Sequence, residues 1–218
     1  WTTLPGRTFF DGIHELPPGH CLLFNERGLR TQRYWAAPFR EREDWLTGDP
    51  GALAEEVGSL LTDAVRLRLR ADVTVGTYLS GGLDSSGISA IVARRFNADV
   101  MTFGIRFEDG RFDEGEHQRV MVDHLGVDHR EIVATDAAIS EAFANAAWHC
   151  EKPILRTAPV PLYLLSRLVQ SQGIKVVLTG EGADEFSGGY DIFKEALVRR
   201  FWARNPASKW RGRLIERL

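Results

Sequence analysis

The amino-acid sequence predicts an α/β protein built on an open parallel sheet with helices on both faces. After residue 50, short β-branched or apolar runs alternate with helical stretches, which is typical of βαβ units. Two of these runs end in glycine-rich loops that carry hydroxyl and carboxylate side chains, at residues 80–86 and 179–190. Because the carboxyl ends of parallel strands meet at one edge of a sheet, both loops should face the same ligand.

The composition is that of an ordinary globular protein. The chain has 218 residues, of which 44% are hydrophobic and 26% are charged, so it can bury a sizeable core. The formal charge of −3 lacks the basic footprint of a nucleic-acid-binding protein. We find no apolar run of membrane-spanning length and no secretory leader, so we expect a cytoplasmic enzyme with no nucleic-acid or membrane partner. Cys21 and Cys150 are too few for a disulfide framework or a metal cluster.

The elements follow from local patterns. Residues 1–35 are predicted to form short strands at 8–10, 21–24 and 29–35, and the polar segment 36–50 is predicted to be a linker. Apolar residues recur at helical spacing from Leu53 to Leu69, and Gly126 closes a later helix. The remaining strands are predicted at 73–79, 99–105, 129–133 and 174–179, and the helices at 52–70, 86–95, 112–125, 137–149, 160–169 and 191–202.

The first glycine-rich loop, with the sequence SGGLDSS at residues 80–86, predicts a phosphate site. Gly81 and Gly82 allow a tight turn, and the serine hydroxyls lie beside the free N–H groups of a helix start. The loop has no lysine, so it is not a Walker-type phosphate loop. Asp84 would repel a phosphate unless a cation lies between them, which points to magnesium. The alternative is a plain strand-to-helix turn with a serine cap.

The second loop places three carboxylates after another strand. Glu181, Asp184 and Glu185 follow Thr179 and Gly180, and such a loop can lie beside a polyphosphate if magnesium neutralises the assembly. The alternative is a solvated acidic turn. His117, His124 and His129 match no common zinc spacing, so surface or packing roles are favoured for them.

These motifs resemble those of a known family. Residues 80–86 resemble the pyrophosphate loop of ATP pyrophosphatases, in the spelling found in glutamine-hydrolysing asparagine synthetases, and residues 179–190 resemble the second motif of that family. Residues 12–13, 16–20 and 33–35 resemble the end of its glutaminase domain. The resemblance implies an adenine nucleotide alpha hydrolase-like fold, with residues 1–35 as a glutaminase remnant and residues 51–218 as a synthetase domain truncated at its C-terminus.

The resemblance also implies roles for individual residues. Asp84 and Asp184 would be magnesium ligands, and Glu181 would support formation of the acyl-adenylate. Phosphate and nucleotide contacts are expected from the first loop, from the ends of the three strands 73–79, 99–105 and 174–179, and from the glycine after the last of them. These residues are Tyr78, Leu79, Ser80, Gly81, Gly82, Asp84, Ser85, Ser86, Ile105, Thr179 and Gly180. Thr179 replaces the serine that is more usual in the family.

The implied reaction is the synthesis of asparagine from aspartate, ATP and ammonia derived from glutamine, with release of AMP and pyrophosphate. Two alternatives stay open: a related ligase that adenylates another carboxylate, as in β-lactam or peptide-cyclising synthetases, and a nucleotide-binding domain without turnover. The glutaminase cysteine and the downstream lysine of the family have no counterpart in these residues, so we expect the chain to be a piece of a longer protein. Exposed apolar surface favours self-association and leaves a homodimer open.

Overall fold

The computed structural model describes residues 6–38, 44–96 and 99–217. It divides into two compact units, one of Trp1–Asp63 with Ala134–Arg167 and one of Ala64–Val133 with Leu168–Leu218. Both glycine-rich loops belong to the second unit. The predicted domain boundaries at residues 35 and 50 stay predictions, and residues 1–5 and 39–43 of those segments lie outside the described residues.

A four-stranded sheet forms the centre of the second unit. Its strands are β3 (Val75–Tyr78), β4 (Met101–Phe107), β5 (Asp128–Ala134) and β6 (Val176–Leu178), in the order β5-β4-β3-β6. Strand β3 pairs in parallel with both neighbours, with Thr77 opposite Thr102 on β4 and opposite Leu178 on β6. The structure thus confirms the predicted α/β fold with a parallel sheet flanked by helices.

The helices alternate with these strands as predicted. They are α1 (Pro50–Arg68), α2 (Leu83–Ala90), α3 (Gly115–Leu125), α4 (Asp136–Cys150), α5 (Pro159–Ser171), α6 (Ala183–Ser187) and α7 (Asp191–Ala203). Gly126 ends α3 in the left-handed conformation, at φ 66°, and Thr135 caps α4 by accepting the N–H of Ala138 at 3.0 Å. No helix in the described ranges combines the length and the apolarity that crossing a bilayer requires.

Four helical details differ from the sequence prediction. The predicted helix 86–95 begins three residues earlier, because the turn is complete at Gly82, whose extended backbone lets Leu83 start α2. Its last turn, Ile91–Arg95, is π-helical. The short helix α6 and the 3₁₀ segment Arg211–Arg217 were not predicted.

The first unit contains an antiparallel hairpin of β1 (His20–Asn25) and β2 (Gly28–Arg33). The predicted strand at 8–10 is wrong, because that segment closes on itself: the Thr8 hydroxyl donates to the carbonyl of Ile13 at 2.7 Å and accepts the N–H of Phe10 at 3.1 Å. Strand β2 ends earlier than predicted, since the N–H groups of Tyr34 and Trp35 both donate to the carbonyl of Gly19.

The core of the second unit packs the C-terminal end of α1 and the π-helical turn after α2 against the sheet. Val65, Val92, Val100 and Leu178 form one buried cluster. Within the same unit, the fully buried Thr77 hydroxyl lies 2.9 Å from the hydroxyl of Ser89. This hydrogen bond ties the central strand to the helix that follows the first glycine-rich loop.

A second polar contact fixes the turn between β4 and α3. Both Nε and Nη2 of Arg106 donate to the carboxylate of Asp113 at 2.7 Å, and the N–H of Phe107 donates to it at 3.2 Å. Nη1 of Arg106 also lies 3.5 Å from Glu131. A Cβ on Gly115 would clash with the Arg106 guanidinium, so a side chain at this position would displace the guanidinium.

We expect Ser89→Ala to destabilise the protein by about 1–3 kcal/mol, because it leaves the Thr77 hydroxyl buried without its partner. The double variant Thr77→Val with Ser89→Ala should lose less than the sum of the single losses, since no buried hydroxyl remains. Urea unfolding of the wild-type protein, both single variants and the double variant measures this coupling. Strictly additive losses would contradict it.

We also expect a specific acid sensitivity. The hydrogen bonds from Arg106 lower the pKa of Asp113 from 3.8 to about 2, so the folded state binds this proton less readily than the unfolded state. The contribution of Asp113 to the free energy of unfolding is present above about pH 4 and is lost as the pH falls towards 2. Denaturation midpoints measured between pH 6 and pH 2 should therefore decline less steeply in Asp113→Asn.

The matched control is Asp109→Asn. Asp109 also pairs with an arginine, but Arg111 is 81% exposed, and exposed ion pairs contribute little. If both variants changed the fall of the denaturation midpoint between pH 6 and pH 2 by the same amount, the contact with Arg106 would have no special role.

Candidate functional site

The first glycine-rich loop is braced by its own serines. The hydroxyl of Ser80 lies 2.8 Å from that of Ser85 and accepts the N–H of Gly82 at 3.2 Å. The N–H of Ser80 donates to the Ser85 hydroxyl at 3.1 Å. Before the loop, Tyr78 ends β3, and the fully buried Leu79 donates its N–H to the carbonyl of Phe103 at 2.8 Å. The strand end and the turn are therefore held in one conformation.

The start of α2 has donors left for an anion. Gly82 precedes the helix and supplies no side-chain cap, so the first-turn N–H groups have the orientation that phosphate-binding helix starts use. The buried hydroxyl of Ser86 has no hydrogen-bond partner among the described residues. Asp84 lies in the same turn and is exposed. The predicted anion site and the predicted carboxylate thus occur together.

The turn at Gly81 is packed tightly. Gly81 has φ 89°, and a Cβ there would lie 2.7 Å from Cβ of His117 and 2.8 Å from the backbone nitrogen of Gln118. Any side chain would therefore push the loop away from α3. Glycine is required at this position for two independent reasons, its backbone conformation and its contact.

The second loop lies directly against the first. A Cβ on Gly180 would come within 2.8 Å of the Ser85 nitrogen and 2.9 Å of Asp84 Cβ. The backbone of Gly180 therefore touches the first turn of α2, as expected for two loops that follow neighbouring parallel strands. Thr179 and Gly180 are half-buried, and Glu181, next in the chain, is exposed.

The acidic part of the second loop is folded around glycines. Gly182 (φ 92°) precedes α6, and Gly188 (φ 72°) ends it. The carboxylate of Asp184 fills the space where a side chain on Gly189 would lie. The negative charge of Glu185, followed by burial and by the charges of Asp184 and Glu181, raises the pKa of Tyr190. The loop therefore carries a concentrated negative charge.

The carboxylates of the two loops are suitable ligands for magnesium. In the described ranges, no group of three His, Cys, Asp or Glu side chains is arranged to hold a metal ion. Magnesium in nucleotide sites is commonly held by one or two carboxylates, with substrate phosphates and water completing its shell. The exposed Asp84 and the half-buried Asp184 provide carboxylates on the two adjoining loops. Magnesium binding stays a prediction.

Ile105, the nucleotide candidate on β4, contacts a residue that sequence reasoning missed. Its carbonyl accepts a hydrogen bond at 2.8 Å from Nε2 of Gln118. Gln118 is 2% exposed and shares the buried face of α3 with Gly115 and Leu125. A polar residue at helical spacing from two small or apolar ones is the signal that could have identified it.

Strand β5 adds His129 to this polar cluster. Its Nδ1 lies 2.8 Å from the hydroxyl of Thr102, and burial lowers the pKa of His129, which favours the neutral imidazole. His129 therefore packs inside the sheet region, in agreement with a packing role.

Comparisons with known proteins identify relatives of similar sequence. Amidase chyE of Penicillium rubens is 33% identical over 210 residues, which cover 89% of this chain and 31% of that protein. The asparagine synthetase [glutamine-hydrolyzing] 1 of Bacillus subtilis is 34% identical over 196 residues, covering 89% of this chain and 30% of that protein. The chain thus spans about a third of the length of these curated relatives.

Among solved structures, the NH3-dependent NAD synthetase from Campylobacter jejuni matches with a TM-score of 0.44 at 16% identity, covering 62% of this chain and 60% of that one. The NMN synthetase from Francisella tularensis matches with a TM-score of 0.42 at 16% identity, covering 66% and 60%. The family model for asparagine synthase matches residues 56–218. This match extends over more than half of the chain and includes both glycine-rich loops, and the chain therefore belongs to the asparagine synthase family.

Proposed function

We propose that the protein containing this chain is a magnesium-dependent ligase that forms asparagine from aspartate, ATP and ammonia derived from glutamine. The observation that carries the proposal is the contact of Gly180 with the first turn of α2. It brings the loop that contains Glu181 and Asp184 onto the loop that contains Asp84. A phosphate-binding turn and two sources of carboxylate then serve one ligand, as ATP activation requires.

In this proposal the nucleotide spans three strand ends. Its phosphates bind the N–H groups at the start of α2 and the hydroxyls of the SGGLDSS loop. The nucleoside part lies along the ends of β3, β4 and β6, where Tyr78, Leu79, Ile105, Thr179 and Gly180 are its contacts. Asp84 and Asp184 hold magnesium, which neutralises the phosphate charge when bound. Support for this arrangement comes from the braced loop and the uncapped helix start.

The chemistry proceeds in two balanced steps. An oxygen of the side-chain carboxylate of aspartate attacks the α-phosphorus of ATP, and the bond to the bridging oxygen breaks with release of pyrophosphate. Ammonia then attacks the acyl carbon, loses a proton, and AMP leaves with the bonding electron pair. The chain contributes by orienting the phosphates with fixed N–H dipoles, which need no reorganisation during the reaction. The exposed Glu181 is the residue assigned to support the first step.

A second candidate differs only in the acceptor. The similarity to a protein named amidase chyE favours a ligase of the same chemistry that adenylates a carboxylate other than that of aspartate. Both candidates use the same nucleotide edge and differ in the pocket for the acceptor. A nucleotide-binding protein without turnover is less well supported, because binding alone does not require carboxylates on both adjoining loops.

We expect Asp84→Asn to weaken the binding of magnesium–ATP about 10- to 100-fold, the range seen when support for a bound metal is removed. The side chain is exposed, so the free energy of unfolding should change by less than about 0.5 kcal/mol. Titration calorimetry and thermal melting of the complete protein measure the two quantities.

Asp123→Asn is the matched control, because Asp123 is an exposed aspartate on α3 outside both loops. It should leave the affinity unchanged. Unaltered nucleotide binding in Asp84→Asn together with a large loss of stability would make Asp84 a structural cap.

The reaction itself is tested by product analysis on the complete protein. With aspartate, glutamine and magnesium–ATP, we expect asparagine, AMP and pyrophosphate in equal amounts. Pyrophosphate release that depends on another carboxylate, without asparagine, would favour the second candidate. Tight binding of ATP with no pyrophosphate release under any condition would refute both ligase assignments.

A further inference from the structure

Gln118 is the largest of the fully buried polar side chains in the described part of the chain, at 2% exposure. Burying an amide is costly unless its polar atoms are used. Its position in the first half of α3 places it between a loop and a strand that both belong to the candidate nucleotide edge. Each of its polar groups has a different contact.

The amide nitrogen forms a hydrogen bond near the end of β4. Nε2 donates to the carbonyl of Ile105 at 2.8 Å, and since a carbonyl can only accept, the nitrogen must face Ile105. The last pairing of β4 with β3 is that of Tyr78 with Phe103, so Ile105 lies beyond the part of β4 that pairs with β3. The hydrogen bond from Gln118 thus fixes a strand end that β3 does not pair with.

The backbone of the same residue supports the first loop. A Cβ on Gly81 would lie 2.8 Å from the nitrogen of Gln118, whose N–H donates to the carbonyl of Glu114 at 3.0 Å. One residue therefore touches both the turn that binds phosphate and the strand end assigned to the nucleoside. The distance between these two parts of the site depends on its conformation.

The amide oxygen lies against Gly104 of β4. A Cβ on Gly104 would clash with Oε1 of Gln118 and would lie 3.0 Å from Nε2 of His129. Both atoms are buried, and neither has a hydrogen-bond partner among the described residues. The Thr102 hydroxyl donates to the carbonyl of Asp128 at 3.2 Å, so it accepts from Nδ1 of His129, and Nε2 of the neutral imidazole has no hydrogen to donate. The hydrogen bond from the amide nitrogen of Gln118 to the carbonyl of Ile105 is therefore what orients the amide.

We propose that Gln118 is a positioning residue for the nucleotide, which holds the Ile105 end of β4 in register with the Gly81 turn so that the nucleoside and the phosphates of ATP bind together. The inference rests on the proposed function, since ATP is the ligand. In this proposal Gln118 supports the site without contacting the phosphates or the predicted metal.

The test compares two probes, magnesium–ATP and magnesium pyrophosphate, on the complete protein. Gln118→Met keeps the length of the side chain and removes the donor to Ile105. We expect its affinity for ATP to fall about tenfold, in keeping with the loss of one hydrogen bond, while its affinity for pyrophosphate stays within about twofold. A purely structural role would weaken both ligands equally or neither.

Gly104→Ala perturbs the same amide from the other side, since the added methyl group displaces Oε1. It should reproduce the selective loss of ATP affinity, and it keeps the proposal testable if Gln118→Met does not fold. Gln170→Met is the matched control, because Gln170 is exposed on α5. Thermal melting of each variant identifies those that are folded.

The outcomes separate this inference from the proposed function. A wild-type protein that binds neither probe would overturn the function itself. A wild-type protein that binds ATP, with folded variants that bind it equally well or lose both probes in parallel, would overturn only the role of Gln118. Failure of both variants to fold would assign Gln118 to the core and would also overturn the positioning role.

Discussion

The close approach of two backbones, at Gly180 and at the first turn of α2, is the constraint on which the rest of the site depends. It is possible only because β3 and β6 are parallel neighbours, so their carboxyl ends emerge at one edge. It also requires that Gly180 has no side chain. Through this contact the acidic second loop adjoins the SGGLDSS loop. Sheet order therefore determines which side chains can share a ligand.

The sequence was sufficient to predict the strands and the location of both loops. Alternation of β-branched runs with helical stretches is a local pattern, and it predicted all four sheet strands because each lies between clear turn residues. The prediction of a strand at 8–10 was wrong because of a local hydrogen-bonded turn, which the periodicity of apolar residues does not reveal. The hydroxyl of Thr8 closes a turn with its own neighbours, and such competition for backbone groups depends on geometry.

Other features could not be predicted because they depend on tertiary contacts. The clash that a side chain on Gly115 would make arises from Arg106, nine residues away on β4. The importance of Gln118 likewise depends on Ile105, Gly81 and Gly104 meeting one side chain. A glutamine within an amphipathic helix gives only a weak signal by itself. The sequence thus predicted the strands and the positions of the loops better than the tertiary contacts that hold them in place.

The exclusion of a side chain at Gly104 has a consequence for how this part of the protein can change. The space beside β4 that a side chain at position 104 would need is occupied by the amide of Gln118 and by the imidazole of His129. A methyl group at position 104 displaces the amide of Gln118, and a side chain larger than a methyl group requires a shorter residue at position 118, because a close-packed interior cannot accommodate both. The order of the two changes also matters. A smaller residue at position 118 first leaves a cavity that the chain can tolerate, whereas a larger residue at position 104 first forces the strand and the helix apart.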